Sequence, residues 1–443
     1  MSTLATAAYA LAAAATLLVM LFVVIVKPNG VSEGLIGGLG AIMLIAIGAT
    51  SSAAALDRIE GMLPTVLFLG CCLILAGLCQ REGLFGYLGS RIGALAHGST
   101  KLLFVLIFVV AAVVTAALSL DTTVLLLTPV IIEVSLRARV DYRPNTYAAC
   151  HLANTASLLL PVSNLTNLLA MNTVHLDVLG FARMMALPWL AAVIVEFAVL
   201  RTFFHSVLSN DLTGNAARSR TTQENNSIQQ NGAAQPSAPT LAIVVVSLTL
   251  VGFLASGSMG LDPFLLAAAG CIPLIVVRTV RLRSNADSNR HSGLRQELTR
   301  VAKDANISFL VFVLSLAVVV SALSDNGIAQ LLDPLFATTP SFAHLLLIAA
   351  LSAIAANIFN NLPAAMLLIP LAAAHGTLFT LAVLIGVDIG PNLTYAGSLA
   401  NILWRRILRG RGQRTELFTF SVVGLISVPL CIVGAVAALW FAR

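Results

Sequence analysis

Polar residues that could bind a solute or carry a proton form four short clusters within apolar stretches of the sequence. The clusters cover residues 119–123, 151–167, 357–363 and 386–401. Pro161 lies in the second cluster and the pair Gly390-Pro391 lies in the fourth. Because proline removes a helical hydrogen bond and glycine adds backbone freedom, we expect these residues to interrupt a helix. Interrupted helices expose carbonyl and N–H groups that can hold a cation or a hydroxyl group.

Acidic residues narrow the candidate site further. Of 19 acidic residues, four lie in the interior of the apolar stretches and not at their first residue, namely Asp121, Glu133, Glu196 and Asp388. Charged side chains inside a membrane are costly and usually functional. Asp121 and Asp388 fall in the polar clusters, so we predict that they carry a proton or a cation. Glu133 lies four residues before Arg137 and should pair with it near the membrane surface.

The remaining polar residues of the clusters are suited to hydrogen-bonding the hydroxyl groups of a solute. The predicted binding residues are Asn164, Thr166, Asn167, Asn360, Asn361, Thr394 and Ser398. Weaker candidates are Asn154, His151, Glu196 and Asn392. Any one of these side chains could instead bond a neighbouring helix. The pattern suggests no catalytic residue, metal site or cofactor, so we expect a carrier and not an enzyme.

The composition excludes a water-soluble enzyme. Hydrophobic residues make up 58% of the 443 residues, charged residues make up 10%, and the mean hydropathy is +0.94. Soluble proteins usually contain about 45–50% apolar and about 25% charged residues. The net charge of +6 is explained by basic cytoplasmic loops, so a nucleic-acid partner is not required.

Apolar runs of about 20 residues predict membrane-crossing helices. Ten such runs occur, at 4–26, 34–54, 62–79, 145–172, 182–203, 238–256, 262–280, 305–324, 376–404 and 416–441. The segments 101–136 and 341–374 are too long for one span, and each has a polar cluster near its middle. We interpret them as re-entrant hairpins that enter the membrane and turn back. The predicted fold is therefore an all-α polytopic membrane protein with about ten transmembrane helices and two re-entrant hairpins.

Basic residues predict the orientation of the chain in the cell membrane. With the N-terminus outside and each hairpin returning to its own side, 22 of 25 Lys and Arg residues face the cytoplasm. The exceptions are Arg58, Arg183 and Arg443. This distribution follows the positive-inside rule. It predicts that both termini lie outside and that the loop between the two halves of the chain is cytoplasmic.

A polar segment at 209–240, rich in Ser, Asn, Gln, Thr and Pro, divides the chain and is typical of a flexible linker. Residues 1–208 and 241–443 each contain three spans, one hairpin and two spans. Because five crossings precede the linker, the second half should be inserted upside down, as in transporters with inverted repeats. A shift of 234 aligns 164–169 with 398–403 and places Asn154 opposite Asp388.

These clusters resemble those of the arsenite efflux permease family (ArsB type), within an ion transporter superfamily that also holds NhaD-type sodium/proton antiporters and dicarboxylate and citrate carriers. The matching stretches are 154–158 with 162–165, 360–363, 388–391 with 397–400, and 403–404. Weaker similarity is found at Asp121, at 127–129 and at 326–327, so the resemblance extends over nearly the whole chain. Familiar members carry a lysine where this chain has Asn392 and an aspartate where it has Asn154. Relative to those members, the site has lost one cation and one anion.

The resemblance implies efflux of arsenite, and of antimonite, in exchange for external protons, with or without a separate soluble ATPase subunit. Three alternatives remain open from the sequence. The chain could be a sodium/proton antiporter, or a sodium-coupled carrier of dicarboxylates or citrate. It could also be a membrane scaffold for a soluble ATPase, with the basic loops 278–303 and 405–414 as the docking surface. The expected partners of the chain are arsenite or another small inorganic solute, protons or sodium, and the lipid bilayer. A soluble ATPase subunit and a second copy of the chain in a homodimer are optional partners.

Overall fold

The apolar runs of this chain form helices, since only a helix or a closed barrel satisfies backbone hydrogen bonds inside a lipid bilayer. The computed structural model describes residues 3–26, 32–209, 238–284, 290–336, 339–413 and 415–442. Within these ranges, every regular element is helical. The predicted all-α membrane architecture is therefore confirmed, whereas most of the predicted linker, 210–237, lies outside the described residues.

Nine helices longer than five residues precede residue 210. They are α1 (Thr3–Val26), α2 (Glu33–Ala46), α3 (Ser52–Arg81), α4 (Leu84–Ala96), α5 (Thr100–Ala117), α6 (Thr128–Arg137), α7 (Arg143–Thr155), α8 (Leu165–Thr173) and α9 (Val178–Phe203). Nine more follow residue 237 in the described ranges. They are α10 (Thr240–Met259), α11 (Pro263–Ser284), α12 (Arg290–Asp304), α13 (Ile307–Leu323), α14 (Phe342–Phe359), α15 (Asn361–His375), α16 (Thr377–Ile389), α17 (Leu399–Gly410) and α18 (Leu417–Phe441).

Nine helices of the described ranges are long and apolar enough to cross a membrane. They include or overlap α1, α3, α5, α9, α10, α11, α13, α14 and α18. The sequence predicted ten spans and two hairpins. The difference arises because the spans at 145–172 and 376–404 are each divided into two short helices and the helix within 34–54 has only 14 residues, whereas α5 and α14, in the predicted hairpins, are each 18 residues long. At 1.5 Å per residue, such a helix is about 27 Å long, close to the thickness of the hydrocarbon layer. Re-entrance of the two hairpins stays a prediction.

The region predicted as the second span, 34–54, contains a shorter helix and a turn. Helix α2 ends at Ala46, and Gly48 in the following turn has a φ of +80°. The hydroxyl of Ser51 then accepts a hydrogen bond from the N–H of Ala54 and caps α3. Serine at the N-cap satisfies an N–H group that the first helical turn leaves unpaired. Helix α3 therefore starts ten residues before the predicted span at 62–79.

The helices pack in two groups. In one group, α13 packs against α1, α2 and α3, and α11 packs against α3. In the other, α9 packs against α18, α5 against α7, and α16 against α14 and α15. The interrupted helices belong to this second group, where the short helix α8 also contacts α15 and α16. Packing within the second group therefore positions the polar clusters.

A cluster of ion pairs joins the end of α3 to α11 and α12. Arg81 pairs with Glu297 at 3.3 Å and with Asp304 at 2.5 Å, and Arg278 pairs with Glu297 at 2.8 Å and with Glu82 at 3.1 Å. The Glu297 side chain is 2% exposed. Burial raises the pKa of the Glu297 carboxyl, but the hydrogen bond from Arg278 and the adjacent guanidinium charges outweigh burial and hold this pKa below its usual range. This cluster, which we call the α3 ion cluster, links residues before 210 to residues after 237.

Candidate functional site

The first interrupted helix consists of α7 and α8, separated by two tight turns. Helix α7 continues into 3₁₀ turns at Ala156–Leu158 and Pro161–Ser163, and Leu160 between them is extended. An extended residue before a proline is expected, because the proline ring clashes with a helical predecessor. Asn164 is also extended, and its side-chain oxygen accepts a hydrogen bond from the N–H of Thr166, which caps α8. The predicted break at Pro161 is thus present.

The second interrupted helix, α16 and α17, has the same construction. Helix α16 ends in a 3₁₀ turn at Gly390–Leu393, and the hydroxyl of Ser398 caps α17 by accepting from the N–H of Asn401. Gly390 has a φ of −49°, which any residue can adopt. Glycine is therefore needed here for its small size and not for the backbone freedom that the sequence suggested. A Cβ atom at Gly390 would lie 2.5 Å from the Cα of Ala353. Only glycine allows α16 to approach α14 this closely.

A residue shift of 234 relates the two interrupted helices in detail. Helices α7 and α16 begin at 143 and 377, and α8 and α17 begin at 165 and 399. Asn167 donates to the backbone oxygens of Ser157 and Leu160, at 2.6 and 2.9 Å. Asn401 donates to the backbone oxygens of Pro391 and Thr394 at the matched positions, at 2.7 and 3.0 Å. In each half, one asparagine therefore binds two of the carbonyls that the break leaves without helical partners.

Asp388 is fully buried and contacts the first interrupted helix. Its Oδ1 accepts hydrogen bonds from Nδ2 of Asn164, at 3.0 Å, and from the hydroxyl of Thr166, at 2.6 Å. Its Oδ2 has no hydrogen-bond partner in the described part of the chain. A buried carboxylate is stabilised by donors of this kind. One oxygen is thus held firmly, and the other is available for a proton.

A cavity with about 520 Å³ of empty space lies beside Asn164. Its polar wall includes Asp121 at the first hairpin tip, Asn360 and Asn361 at the second, and Asn164 between them. Its lining, all within the described residues, includes no Lys or Arg. We call it the amide cavity. Its wall can donate and accept hydrogen bonds, and Asp121 supplies an acidic group.

The second hairpin tip is held in a strained conformation. Asn360 has a φ of 72° and a ψ of 156°, a region that favours glycine. Strain of this kind costs on the order of 1–3 kcal/mol and persists only where the surroundings hold it. Here, Nδ2 of Asn360 donates to the backbone oxygen of Ala396 at 3.2 Å, and the N–H of Asn361 donates to the oxygen of Gly397 at 3.0 Å. The hairpin tip is thus tied to the break between α16 and α17.

Asp121 also faces a second cavity, with about 660 Å³ of empty space. Glu33, Asn306 and Arg406 contribute polar groups to this second cavity, and its other walls are mainly aliphatic. Phe309 and Leu399 line both cavities together with Asp121. Asp121 therefore lies at the boundary between the two spaces.

A second polar network joins the interrupted helices to Glu196 of α9. Nδ2 of Asn154 donates to the side-chain oxygens of Asn392 and Asn401, each at 2.8 Å. Asn392 in turn donates to the hydroxyl of Thr155 at 2.9 Å, and Thr155 donates to Glu196 at 3.1 Å. All of these side chains are buried. We call this the Glu196 network.

The predicted site residues thus fall into four groups. Four of them line the amide cavity: Asp121, Asn164, Asn360 and Asn361. Two others, Asp388 and Thr166, are bonded to each other behind the wall residue Asn164. Three further predicted solute ligands form hydrogen bonds with backbone or other side chains and do not line the amide cavity: Asn167, Thr394 and Ser398. The weaker candidates Asn154, His151, Glu196 and Asn392 belong to the Glu196 network.

Several contributing residues were not predicted individually, although they lie in the polar clusters. Ser119 and Ser163 line the amide cavity. Asn357 donates to the backbone oxygen of Gly390 and accepts from the hydroxyl of Thr394, so it fastens α14 to the second break. Their polar character inside apolar segments was the available signal. Cys431, which contacts Glu196 at 3.4 Å, lies in an apolar helix that gives no such signal.

Comparison with known proteins identifies the family. A family model described as a citrate transporter, CitMHS, matches residues 19–379. The arsenical pump membrane protein of Escherichia coli is 26% identical over 432 residues, which cover 94% of this chain and 95% of that protein. The putative arsenical pump membrane protein of Bacillus subtilis (strain 168) is 23% identical over 441 residues, with 94% and 96% covered.

A solved structure shares the fold. The YdaH transporter of Alcanivorax borkumensis aligns with a TM-score of 0.53 at 16% identity, covering 99% of this chain and 98% of that one. A likeness at this identity concerns the fold alone. With the match to the family model, the apolar helices and the buried polar cavity, the chain belongs to the CitMHS family within the ArsB-type ion transporter superfamily and is a multi-pass membrane transporter.

Proposed function

We propose that this protein exports arsenite, and antimonite, in exchange for external protons. The observation that carries the proposal is the buried carboxylate of Asp388, hydrogen-bonded to a side chain that lines a cavity without Lys or Arg among its lining residues. Arsenite near neutral pH is largely an uncharged trihydroxide. Such a solute needs hydrogen bonds but no opposite charge. The relatives named as arsenical pump membrane proteins support the same substrate.

The amide cavity suits a neutral polyhydroxyl solute. An asparagine side chain has an acceptor oxygen and two donor hydrogens, so it can bind a hydroxyl group in either direction. Three asparagines line the cavity, namely Asn164, Asn360 and Asn361. An anion with several charges would be disfavoured, because a buried charge needs an opposite charge or several strong donors. We infer that these three side chains bind the hydroxyl groups of the solute.

Asn164 is the side chain that links the solute to the proton. When Asp388 is ionised, it holds Nδ2 of Asn164 by a charge-assisted hydrogen bond. When Asp388 binds a proton, this bond weakens and no longer holds Asn164 in the position that binds the solute. Solute and proton then compete through one amide group, and this competition is what exchange requires. Asp121, on the cavity wall itself, is the second candidate for a coupling acid.

The proposed architecture has two inverted repeats, 1–208 and 241–443, with both termini outside, the linker in the cytoplasm and the hairpins re-entrant. The matching boundaries of the interrupted helices at a shift of 234 support the repeat. So do the equivalent hydrogen bonds of Asn167 and Asn401. Attaching a reactive probe to cysteines placed at 97–98 and 412–413, from one side of the membrane at a time, tests the sidedness.

Arsenite accumulation in everted membrane vesicles tests the proposed function. Vesicles with an acidic interior should accumulate arsenite when they contain the wild-type protein, and Asp388→Asn should abolish this accumulation. Glu133→Gln is the matched control, because it makes the same chemical change at an exposed acid that pairs with Arg137. Arsenite accumulation by the purified protein in liposomes would in addition exclude a pure scaffold role for an ATPase. Equal accumulation in Asp388→Asn and wild-type vesicles would remove Asp388 from the coupling.

A second candidate function is transport of citrate or a dicarboxylate, which the description of the matching family model favours. The lining of the amide cavity gives such an anion no cationic partner. Labelled citrate uptake that depends on external sodium would favour this function. Arsenite accumulation that citrate does not inhibit would favour the first.

A further inference from the structure

Glu196 and His151 form a buried acid–base pair to which the proposed exchange mechanism gives no role. Nδ1 of His151 lies 2.8 Å from Oε1 of Glu196, and both side chains are 0% exposed. The imidazole ring lies against the rings of Tyr147 and Phe420, with centroids 6.3 and 5.3 Å away. Nε2 of His151 has no hydrogen-bond partner in the described part of the chain.

The hydrogen bonds around this pair indicate where its protons lie. Three groups approach the Glu196 carboxyl: Nδ1 of His151, the hydroxyl of Thr155 at 3.1 Å and the thiol of Cys431 at 3.4 Å. An ionised carboxylate accepts all three bonds. A proton on Nε2 of His151 would be buried without an acceptor, which is costly. The consistent assignment is therefore a neutral histidine, with its proton on Nδ1, and an ionised Glu196.

The ionised carboxylate fixes the orientation of the side chains that follow it. Thr155 has one hydroxyl proton and donates it to Glu196, so its oxygen must accept from Nδ2 of Asn392, at 2.9 Å. The amide of Asn392 is thereby oriented, and its oxygen faces Nδ2 of Asn154 at 2.8 Å. One charge at the end of the Glu196 network thus determines which way each side chain in it points.

The same network continues to Asp388. The hydroxyl of Ser157 donates to the backbone oxygen of Asn154 at 2.7 Å and accepts from Nδ2 of Asn164 at 3.3 Å. Asn164 is the residue that bonds Asp388 and lines the amide cavity. Glu196 is therefore connected with the proposed coupling acid through Asn154, whose side chain belongs to the Glu196 network and whose backbone oxygen accepts from Ser157.

We propose that Glu196 is a positioning residue that orients the amides of the interrupted helices and supplies a fixed negative charge favouring proton binding at Asp388. This proposal rests on the proposed function and adds a regulatory group to its site. A negative charge buried in the same low-dielectric interior raises the affinity of an acid for protons, because the ionised form of that acid is repelled. The titratable groups facing Glu196 are His151 and Cys150 on α7 and Cys431 on α18, and Tyr147 packs on His151.

Charge and orientation can be tested separately. Glu196→Gln removes the charge but keeps the shape. It should lower the midpoint of the pH dependence of arsenite transport by about one pH unit, the scale of a buried like charge. Thr155→Val cuts the network and leaves the charge. It should raise KM about fivefold, the value of one neutral hydrogen bond, without moving the midpoint. Glu196→Asp retains the charge and should keep the wild-type midpoint.

Glu133→Gln serves again as the control for an acid-to-amide change. An unchanged midpoint in Glu196→Gln would overturn the proposal. If Glu196→Gln does not accumulate in the membrane, the infrared measurement described next uses Glu196→Asp in its place.

Infrared difference spectra of the purified protein, wild type minus the Glu196 variant, report the protonation of Glu196 without any transport. A carboxylate band at neutral pH supports the proposal, and a protonated carboxyl band overturns it. If the wild-type protein does not move arsenite at all, the proposed function fails, and the infrared result decides separately whether Glu196 is the fixed charge.

Discussion

The two interrupted helices share one backbone plan but differ in charge at one matched position. Asp388 on α16 corresponds to Asn154 on α7. Each of these residues faces the start of the short helix in the other half: Asp388 bonds Asn164 and Thr166, and Asn154 bonds Asn401 as well as Asn392. The backbone geometry is thus repeated in the two halves, whereas the ionisable group is not. At this matched position, Asp388 in the second half can therefore titrate, whereas Asn154 in the first half provides fixed amide contacts.

The surroundings of the two breaks also differ. The break in the first half adjoins the amide cavity through Asn164. The break in the second half is covered by aromatic rings, with Tyr395 and Phe420 at 4.5 Å between centroids and Trp404 and Phe420 at 5.8 Å. The indole of Trp404 also donates to the backbone oxygen of Thr146 in α7, at 2.9 Å. Side chains therefore fill the second break, whereas the first adjoins the open space of the amide cavity.

Asp388→Asn makes the two halves alike and should have the largest effect. Without an ionisable group at this position, proton-driven arsenite accumulation should fall by at least about a hundredfold, because charge-assisted binding at buried groups is worth several kcal/mol. Initial rates in everted vesicles measure this loss. Retention of more than a tenth of the wild-type rate would show that Asp121 or another acid performs the coupling.

Asn154→Asp makes the halves alike by placing an acidic residue at both matched positions. The new carboxylate would face the side-chain oxygens of Asn392 and Asn401, so the charged form should destabilise the protein by roughly 2–4 kcal/mol. Protonation restores a donor toward those oxygens. The melting temperature in detergent should therefore be most reduced near neutral pH and recover as the pH falls toward about 4, the ordinary range of aspartate. A melting temperature that shows no such pH dependence would contradict the geometry.

Replacement of Asn167 or Asn401, the asparagines that bind the carbonyls of the two breaks, compares how much each one stabilises its half. Asn167→Ala leaves two buried carbonyls without this donor and should lower the free energy of unfolding by about 2 kcal/mol. Asn401→Ala should cost about 3 kcal/mol, because Asn154 and Cys150 also bond to its side-chain oxygen. Thermal unfolding of both variants in detergent provides the measurement. Equal losses would mean that the additional contacts of Asn401 contribute nothing.

Thr166→Val removes one donor to Asp388 and should have the smallest effect of the four. The matched position in the second half is Ala400, so this change also makes the halves more alike. Loss of one hydrogen bond to a charged group is worth about 1.5 kcal/mol. We therefore expect an approximately tenfold change in the proton concentration that supports half-maximal transport. Thr173→Val, at the end of the same helix, should leave this concentration unchanged.

Much of the fold could be predicted from the sequence, because apolar run length and proline are local signals. Pro161 and Gly390-Pro391 marked both breaks correctly. Span boundaries were less predictable where a turn has apolar neighbours, as at Gly48. The two divided spans were each predicted as one crossing, and their halves are too short to cross on their own.

The candidate site could be predicted by residue type but not by the direction in which each side chain points. Asn164 and Asn167 are both polar and three residues apart, yet one lines the cavity and the other binds backbone oxygens. This difference depends on how α8 packs against α15 and α16, and no local pattern encodes that packing. The contact between Cys431 and Glu196 is a further example, because it joins helices 235 residues apart in sequence.

The α3 ion cluster has a consequence for how the chain can be divided. Its charges lie on both sides of the segment 210–237, and Glu297 is almost completely shielded from solvent. Because mobile salt screens buried charges only weakly, this junction should depend little on ionic strength. Together with the packing of α9 on α18, it should allow two fragments, translated separately and cut within 210–237, to reassemble in one bilayer.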